Sequence, residues 1–222
     1  SAQQEVTPLD ILYQDSRIVV AVKPVGVVSA DEPSGMPELL RAQLRTDCIR
    51  TVHRLDAQVS GVMVFARSRM AASLLSQQIR QRRFTKEYLA VLCGAPPQPV
   101  DTLTDLLARD PQRRVTYVAD APSPDAREAR LSYEVLDAAD GLTLVRVRLY
   151  TGRTHQIRVQ FASRGLPLAG DRKYGRTDAP YPIALWSCRL SFAHPQTGEA
   201  MTFACPPPDT APWSLFRLPA EL

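Results

Sequence analysis

Short segments with the pattern of β-strands recur along the chain and restrict its fold more than any other feature. These segments lie at 11–13, 17–22, 61–66, 85–92, 131–135, 142–149, 184–192 and 201–204. Helical patterns are few and scattered, at 37–44, 69–80 and 151–164. The simplest interpretation is an α+β fold with a mixed, largely antiparallel sheet flanked by a few helices.

Capping and turn residues mark several of these elements. Ser68 is placed as the N-cap of a helix that runs through Arg80, and Gly165 as the cap that ends the third helix. Asp140-Gly141 is a strong hairpin signal. The inner face of the second helix is expected to carry four apolar residues: Met70, Leu74, Leu75 and Ile79.

Two proline-rich stretches, 95–99 and 121–125, predict loops. The region between them, which contains Arg113 and Arg114, predicts irregular structure.

The length of 222 residues allows one domain or two fused halves. No apolar run approaches the roughly 20 residues of a membrane helix. The N-terminal residues lack the profile of a signal peptide. We expect a cytoplasmic protein without membrane association, or one whose targeting segment has been removed.

The four cysteines, at 48, 93, 188 and 205, form no C-x-x-C pair and have no histidine close in sequence. Their spacing argues against a zinc site and against a disulfide framework, so we interpret them as small apolar core residues. The chain also lacks a P-loop and a dinucleotide fingerprint. We therefore expect no metal and no cofactor.

Arginine supplies 24 of the 27 basic residues, since only Lys23, Lys86 and Lys173 are lysines. The planar guanidinium matches phosphate and stacks on bases, which would suit a nucleic-acid partner. A GC-rich genome favours arginine codons equally well, so the excess alone decides nothing.

Two segments contain more reactive polar side chains than a local fold requires: 51–61 (TVHRLDAQVSG) and 151–158 (TGRTHQIR). With VAVKPVGVV (20–28), KEYLAVL (86–92), LPLAGDRKYG (166–175) and SFAHPQTGE (191–199), they resemble the RluA family of RNA pseudouridine synthases. The resemblance covers about residues 9 to 205. It implies a single catalytic domain spanning 1–222, with a bent sheet and an RNA groove along one face.

The resemblance implies an isomerase that breaks the N1–C1′ bond of uridine and rejoins the base through C5. Asp56 matches the family's catalytic aspartate, and Arg158 matches the arginine that pairs with it. A carboxylate can attack as a nucleophile or stabilise positive charge on the sugar. Attack at C1′, attack at C6 and a glycal route all remain open.

Other matches imply contacts with the substrate. Tyr88 matches the aromatic residue that packs on the target uracil, and Arg54 the residue that enters the stack left by the flipped base. Leu168, with Leu166, is expected to line the uracil pocket. The remaining residues expected to bind RNA or substrate are His53, Arg153, His155, Arg82 and Arg83.

Two departures from the family pattern concern recognition. Many members carry an N-terminal S4-type RNA-binding module, whereas only about eight residues precede the first strand here. We therefore expect a stand-alone, monomeric enzyme that recognises a structured rRNA or tRNA stem-loop through its catalytic domain. A histidine common in the family is replaced within Leu185-Trp186-Ser187, which leaves a role for that histidine in doubt.

Two competing interpretations belong to other classes. A non-catalytic RNA-binding module would bind RNA equally well without Asp56. A hydrolase would use Ser60, His53 and Asp56, but these lie within eight residues of one another and lack a nucleophile-elbow signal.

Overall fold

The computed structural model describes residues 7–175 and 178–222, which form two compact units. Unit 1 runs to Phe84 and also includes Phe192–Phe203; unit 2 comprises Thr85–Ser191 and Ala204–Leu222. Unit 1 contains β1 (Ile11–Gln14), β2 (Ile18–Lys23), α1 (Met36–Leu44), β3 (Arg50–Thr51), β4 (Ser60–Ala66) and α2 (Arg69–Arg80). Unit 2 contains β5 (Thr85–Cys93), β6 (Val100–Asp110), β7 (Val115–Val118), β8 (Arg127–Ala139), β9 (Leu142–Leu149) and α3 (Gln156–Ala162). The chain continues through β10 (Leu185–Ala193), β11 (Ala200–Ala204) and a 3-10 turn at Trp213–Leu215.

In unit 1, β2 is flanked by β1 and β4, and β3 pairs with the end of β4, all antiparallel. Ile18 to Ala21 and Val62 to Ala66 are fully buried, so both faces of the central strands are covered. This continuous burial explains why the two strands read as apolar runs rather than as an alternating pattern.

The segment Phe192–Phe203 belongs to unit 1 because aromatic and polar contacts hold it there. Phe192 stacks on Phe84 with ring centroids 5.4 Å apart, and Phe203 packs on Tyr13 at 5.4 Å. His194 Nε2 lies 2.7 Å from Asp15 Oδ2. The motif SFAHPQTGE is therefore a structural element of unit 1.

In unit 2 the strand order is β10-β5-β9-β8-β6-β7, with antiparallel pairing throughout this series. Asp140 and Gly141, with φ of 52° and 76°, form the predicted tight turn between β8 and β9. Helix α3 packs against β6 and β7, and its Val159 meets Leu107 of β6 and Ala129 of β8. The α+β class and the largely antiparallel sheet are confirmed.

The prediction of irregular structure between the proline-rich loops is wrong, because β6 and β7 form a hairpin there. The strand VDTLTDLLARD carries charges on both faces and an apolar pair, so its own pattern is ambiguous. Its pairing with β8 over eight residue positions decides the conformation. Tertiary pairing overrides weak local preference here.

Two helix predictions also need correction. Met70 is 70% exposed and does not belong to the inner face of α2, which buries Ala71, Leu75 and Gln78. Gln78 is buried because its amide exchanges hydrogen bonds of 2.7 and 2.8 Å with the backbone of Ala193. Helix α3 begins at Gln156, since His155 adopts a left-handed conformation with φ of 56°. None of the helices in the described residues has the length and apolar composition needed to cross a membrane.

Lys23, at the end of β2, is fully buried and ties the following chain to a second loop. Its ammonium donates hydrogen bonds to the carbonyl oxygens of Pro24 (2.8 Å), Val27 (2.6 Å) and Ala57 (2.9 Å). Burial lowers the pKa of Lys23 to about 8, although the negative charge of Asp56 acts in the opposite direction. Three donors are available only while the amine is protonated.

The N-cap of α2 gives a first prediction. The Ser68 hydroxyl accepts a hydrogen bond from the Ala71 N–H at 3.1 Å. Ser68→Ala should lower the free energy of unfolding by about 1 kcal/mol, because this N–H loses its partner. Urea denaturation measures the change. The control is Ser73→Ala on the exposed side of the same helix, which should be neutral or slightly stabilising.

Lys23→Met gives a second prediction. The variant keeps the length of the side chain but removes the hydrogen bonds that Lys23 donates to three carbonyl oxygens, although Ala57 O keeps the one from Gly26 N–H. The loss should cost about 3 kcal/mol of unfolding free energy. Denaturation at neutral pH measures the loss. Lys173→Met is the matched control: this exposed side chain donates one hydrogen bond, to Arg114 O, and its loss should cost no more than about 0.5 kcal/mol.

The difference in unfolding free energy between wild type and Lys23→Met should change with pH in a known direction. Lys23 in the unfolded chain keeps its proton up to its ordinary pKa of 10.5, whereas the folded protein releases it near 8. The unfolded state therefore binds more protons between these values, and stability rises with pH there. The stability gap between wild type and Lys23→Met should widen from pH 8 to 10.5. If the difference in stability became smaller over this pH range, Lys23 would not be a buried ammonium with a lowered pKa.

Candidate active site

Asp56 lies half-buried in the loop between β3 and β4, and its backbone neighbours are fixed on both sides. Ser29 Oγ donates to Leu55 O at 2.7 Å and accepts from Leu55 N–H at 3.0 Å. The Ala57 carbonyl accepts from Lys23 Nζ at 2.9 Å and from Gly26 N–H at 2.7 Å. The loop therefore presents Asp56 on a backbone that is held by four hydrogen bonds to Lys23 at the end of β2 and to the segment that follows it.

Lys23 also supplies positive charge close to Asp56, because the charge of Asp56 acts on the pKa of Lys23. Sequence reasoning quoted VAVKPVGVV as a motif but assigned no role to its lysine. The available signal was a single lysine at the end of an apolar strand, directly before the helix- and strand-breaking Pro-Val-Gly.

His53 is buried, with 6% of its surface exposed, and contacts the core of unit 1. Its Nε2 accepts a hydrogen bond from Val64 N–H at 3.1 Å, and its ring packs on Phe84 with centroids 5.3 Å apart. This nitrogen cannot serve as a general base while it accepts from the backbone, and Ser60 is itself buried. The contact argues against the hydrolase interpretation. Arg54, by contrast, is exposed in the same loop.

In unit 2, Arg158 projects from α3 and forms a buried bidentate ion pair that sequence reasoning did not predict. Its Nε and Nη2 donate to the two carboxylate oxygens of Asp171 at 3.0 and 2.8 Å. The side chains are 10% and 0% exposed. The guanidinium also lies over the Tyr174 ring, 5.1 Å from its centroid. Two hydrogen bonds to Asp171 and the contact with the Tyr174 ring therefore fix the orientation of the Arg158 guanidinium.

Asp171 stays ionised in spite of its burial. Desolvation alone would raise its pKa, but the hydrogen bonds and charge of Arg158, with the N–H groups of Tyr174 and Lys173, lower it below the ordinary value. Asp171 and Tyr174 lie in the motif LPLAGDRKYG. The sequence feature that could have indicated a role for Asp171 is an acid directly after a glycine, in a segment rich in charged residues.

The loop before α3 is organised by Gln156, whose buried amide makes four hydrogen bonds. Its Oε1 accepts from Thr151 Oγ1 (2.8 Å) and Arg153 N–H (3.0 Å), and its Nε2 donates to Arg130 O and Gln160 Oε1. The neighbouring predicted residues also make intramolecular contacts. Arg153 Nε donates to Glu128 O at 2.8 Å, and His155 Nδ1 is hydrogen-bonded to the Tyr174 hydroxyl. Their contact with RNA stays a prediction.

Tyr88 and Leu168 both lie in the interior of unit 2. Tyr88 is 5% exposed in β5, opposite Val147 in β9 and Ser187 in β10. Leu168 is fully buried and forms a short antiparallel bridge with Leu92, at the other end of β5. The uracil pocket assigned to these residues stays a prediction.

Arg82 and Arg83 are exposed just after α2, as a phosphate-binding surface requires. Arg83 donates from Nε and Nη2 to Gln81 Oε1 at 3.0 and 2.6 Å. Lys86, three residues after Arg83, differs from these two arginines. Burial lowers its pKa, and its Nζ lies 3.1 Å from the position that a Cβ at Gly152 would occupy.

The described residues contain no group of three or more His, Cys, Asp or Glu side chains arranged to hold a metal ion. Cys188 is buried, and burial raises the pKa of its thiol to about 12. Cys48, Cys93 and Cys205 are half-buried.

The predicted site residues therefore fall into two groups. Unit 1 holds Asp56, His53, Arg54, Arg82 and Arg83, and unit 2 holds Arg158, Tyr88, Arg153, His155 and Leu168. The pairing of Asp56 with Arg158 stays a prediction.

Comparison with known proteins identifies the family to which the chain belongs. The family model described as RNA pseudouridylate synthase matches residues 17–163. The dual-specificity RNA pseudouridine synthase RluA of Escherichia coli (strain K12) is 37% identical over 213 residues, covering 89% of this chain and 93% of RluA. The uncharacterized RNA pseudouridine synthase YlyB of Bacillus subtilis (strain 168) is 34% identical, covering 92% of this chain and 71% of YlyB.

A solved structure agrees with these sequence matches. Human RNA pseudouridylate synthase domain containing 1 superposes with a TM-score of 0.79 at 26% identity, covering 94% of this chain and 86% of the human one. Sequence, family model and fold agree over most of the chain, including the Asp56 loop and α3. The chain belongs to the RluA family of RNA pseudouridine synthases, and is an isomerase that acts on RNA.

Proposed function

We propose that this enzyme converts specific uridines of rRNA or tRNA to pseudouridine, with Asp56 as the catalytic carboxylate and the target base flipped out of the RNA. Relatives support this range of substrates by their names. One is called dual-specificity, and another, from Nitrosomonas europaea, is the ribosomal large subunit pseudouridine synthase D. The latter is 34% identical, covering 94% of this chain and 65% of the relative.

The observation that carries the proposal is the fixed backbone on either side of Asp56. A carboxylate that acts on one atom of the sugar accelerates the reaction most when its position is fixed before the substrate binds. The hydrogen bonds to Leu55 and Ala57 set that position. The ammonium of Lys23 places a positive charge near this carboxylate.

The reaction needs no external group donor. The N1–C1′ bond breaks, the detached uracil turns, and a new C5–C1′ bond forms. The proton on C5 leaves, and N1 gains a proton, so the isomerisation is redox-neutral. Asp56 assists either by a covalent bond to the substrate or by stabilising positive charge on the sugar.

The other residues are assigned by what their side chains can do. Arg158 supplies a cation, and Asp171 orients its guanidinium. Tyr88 stacks on the detached uracil, which is worth roughly 1–3 kcal/mol per base. Arg54 replaces the flipped base in its stack.

The remaining residues hold the RNA around the reacting nucleotide. We assign this role to Arg82, Arg83, Arg153 and His155, with Leu168 as the wall of the uracil pocket. The predicted RNA contact of His53 is withdrawn, because its ring is buried against Phe84 and its Nε2 accepts from Val64 N–H. The proposal includes a monomeric enzyme in the cytoplasm, where rRNA and tRNA are met as folded stem-loops.

Replacement of the catalytic acid gives a third prediction. RNA from cells that lack this protein should regain its missing pseudouridines on complementation with wild type, but not with Asp56→Asn. The amide keeps the shape of the side chain and removes its charge and nucleophilicity. Pseudouridine mapping across rRNA and tRNA measures the result and names the substrate at the same time.

Asp47→Asn is the matched control, since Asp47 is exposed in the same unit nine residues earlier. It should restore every site. Restoration of the same sites by Asp56→Asn would refute the assigned role of this residue.

The Arg158–Asp171 pair gives a fourth prediction. Arg158→Lys keeps the charge but cannot occupy both carboxylate oxygens and the Tyr174 ring together. Loss of this orientation should lower kcat about 100-fold, while KM for RNA changes little. Asp171→Asn should act in the same direction. Steady-state kinetics on the RNA identified by mapping gives both parameters.

Asp178→Asn, an exposed change in the same unit, is the control and should leave kcat unchanged. Circular dichroism confirms that each variant is folded. If Arg158→Lys raises KM alone, Arg158 binds RNA and does not act in the chemical step.

A further inference from the structure

Lys86, in β5, carries an ammonium group that has no part in the reaction proposed above. The side chain is half-buried, and Leu149 and Leu190 lie opposite it on the two neighbouring strands. Within residues 7–175 and 178–222 it makes no hydrogen bond and no ion pair. Burial lowers the pKa of this ammonium, and no carboxylate of the described chain raises it again. A cation withdrawn from water in this way is stabilised when an anion binds beside it.

The tip of the Lys86 side chain reaches the surface of unit 2 at Gly152. A Cβ atom at this exposed glycine would lie 3.1 Å from Lys86 Nζ, so any other residue would crowd the ammonium. The loop is fixed at this point, because Thr151 Oγ1 and Arg153 N–H, on either side of Gly152, both donate to Gln156 Oε1 at 2.8 and 3.0 Å. The glycine therefore leaves the ammonium open to a ligand that approaches along a rigid loop.

Lys86 shares one face of the sheet with Tyr88, because side chains two residues apart in a strand point to the same side. Their partners in β9, Leu149 and Val147, continue this face. The Cα atoms at two such positions are separated by about 6.6 Å. This separation is comparable to the distance between the base of a nucleotide and its own phosphate. A uracil stacked on Tyr88 would therefore bring a flanking phosphate within reach of the Lys86 ammonium.

We propose that Lys86, with the open backbone of Gly152, forms a subsite for a phosphate that flanks the target uridine. The inference rests on the proposed function, because it takes Tyr88 as the residue that stacks on the uracil. A lysine ammonium binds phosphate as a compact point charge, and partial burial strengthens the attraction compared with bulk water. The subsite acts on one linkage of the substrate and thereby positions the nucleotide that reacts.

The test pairs a charge removed from the protein with a charge removed from the RNA. Lys86→Met keeps the length of the side chain and removes the ammonium. In the RNA identified by mapping, a single methylphosphonate linkage on the 5′ or the 3′ side of the target uridine removes one phosphate charge. Lys86→Met should lower kcat/KM at least about 30-fold. One of the two methylphosphonate RNAs should lower kcat/KM similarly for wild type, and should have little further effect on Lys86→Met.

Two further variants test the glycine and the general effect of charge. Gly152→Ala places a methyl group 3.1 Å from Lys86 Nζ and should lower kcat/KM about fivefold in wild type, but hardly at all in the Lys86→Met background. Arg148→Met removes a positive charge from the opposite face of the same sheet, since Arg148 pairs with Glu87, the neighbour of Lys86 in β5. This control should keep the kcat/KM of wild type.

Urea denaturation separates the proposed subsite from a structural role. Lys86→Met replaces an ammonium that has no described partner with an apolar side chain, so its midpoint should be no lower than that of wild type. A lower midpoint would show that Lys86 stabilises the fold and would overturn the inference. Equal losses from both methylphosphonates in wild type and in Lys86→Met would overturn it as well.

A binding series keeps this inference distinct from the proposed function. If wild type produces no pseudouridine in any cellular RNA, the proposed function fails. Fluorescence anisotropy with a fluorescein-labelled oligouridylate of about 20 nucleotides, across a KCl series, then decides the role of Lys86. One lost phosphate contact should reduce the magnitude of the slope of log K against log salt concentration by about 0.7 in Lys86→Met. An unchanged slope would overturn the inference.

Discussion

The buried ammonium of Lys23 is the interaction on which the geometry of the proposed catalytic carboxylate depends. It draws three carbonyl oxygens together, two from the chain just after β2 and one from the residue after Asp56. Burying a cation is costly, and the depressed pKa of Lys23 is the sign of that cost. The three hydrogen bonds offset it and fix a loop that has little apolar surface of its own.

In unit 2 the cost of burying a charge is offset by an ion pair. Arg158 and Asp171 are both buried, and each satisfies the other through two hydrogen bonds. Such a pair adds little net stability compared with apolar packing, but it specifies one orientation of the guanidinium. In each unit, therefore, buried polar groups fix the position of predicted site residues, and the surrounding apolar strands provide rigidity.

The sequence predicted those features that have a local cause. Ser68 caps α2 and Asp140-Gly141 forms the β-turn because each depends on neighbouring backbone alone. The roles of Lys23 and Asp171 were missed, because the burial of a charge depends on partners that are distant in sequence. Strand β6 was missed for the same reason, since pairing with β8 rather than its own pattern holds it extended. The family motifs predicted Asp56 and Arg158 as site residues but said nothing of Asp171 as a partner.

The number of arginines alone says nothing about function. The contacts of each arginine show where the guanidinium group itself is required. At Arg158 a lysine could not donate from two fixed nitrogens to Asp171 while stacking on Tyr174, so the guanidinium itself is required. At the exposed Arg82 and Arg83 a lysine would supply nearly the same charge, and a GC-rich genome is sufficient to explain the choice of arginine there. Buried planar contacts, not the number of arginines, therefore identify where this chain depends on the chemistry of the residue.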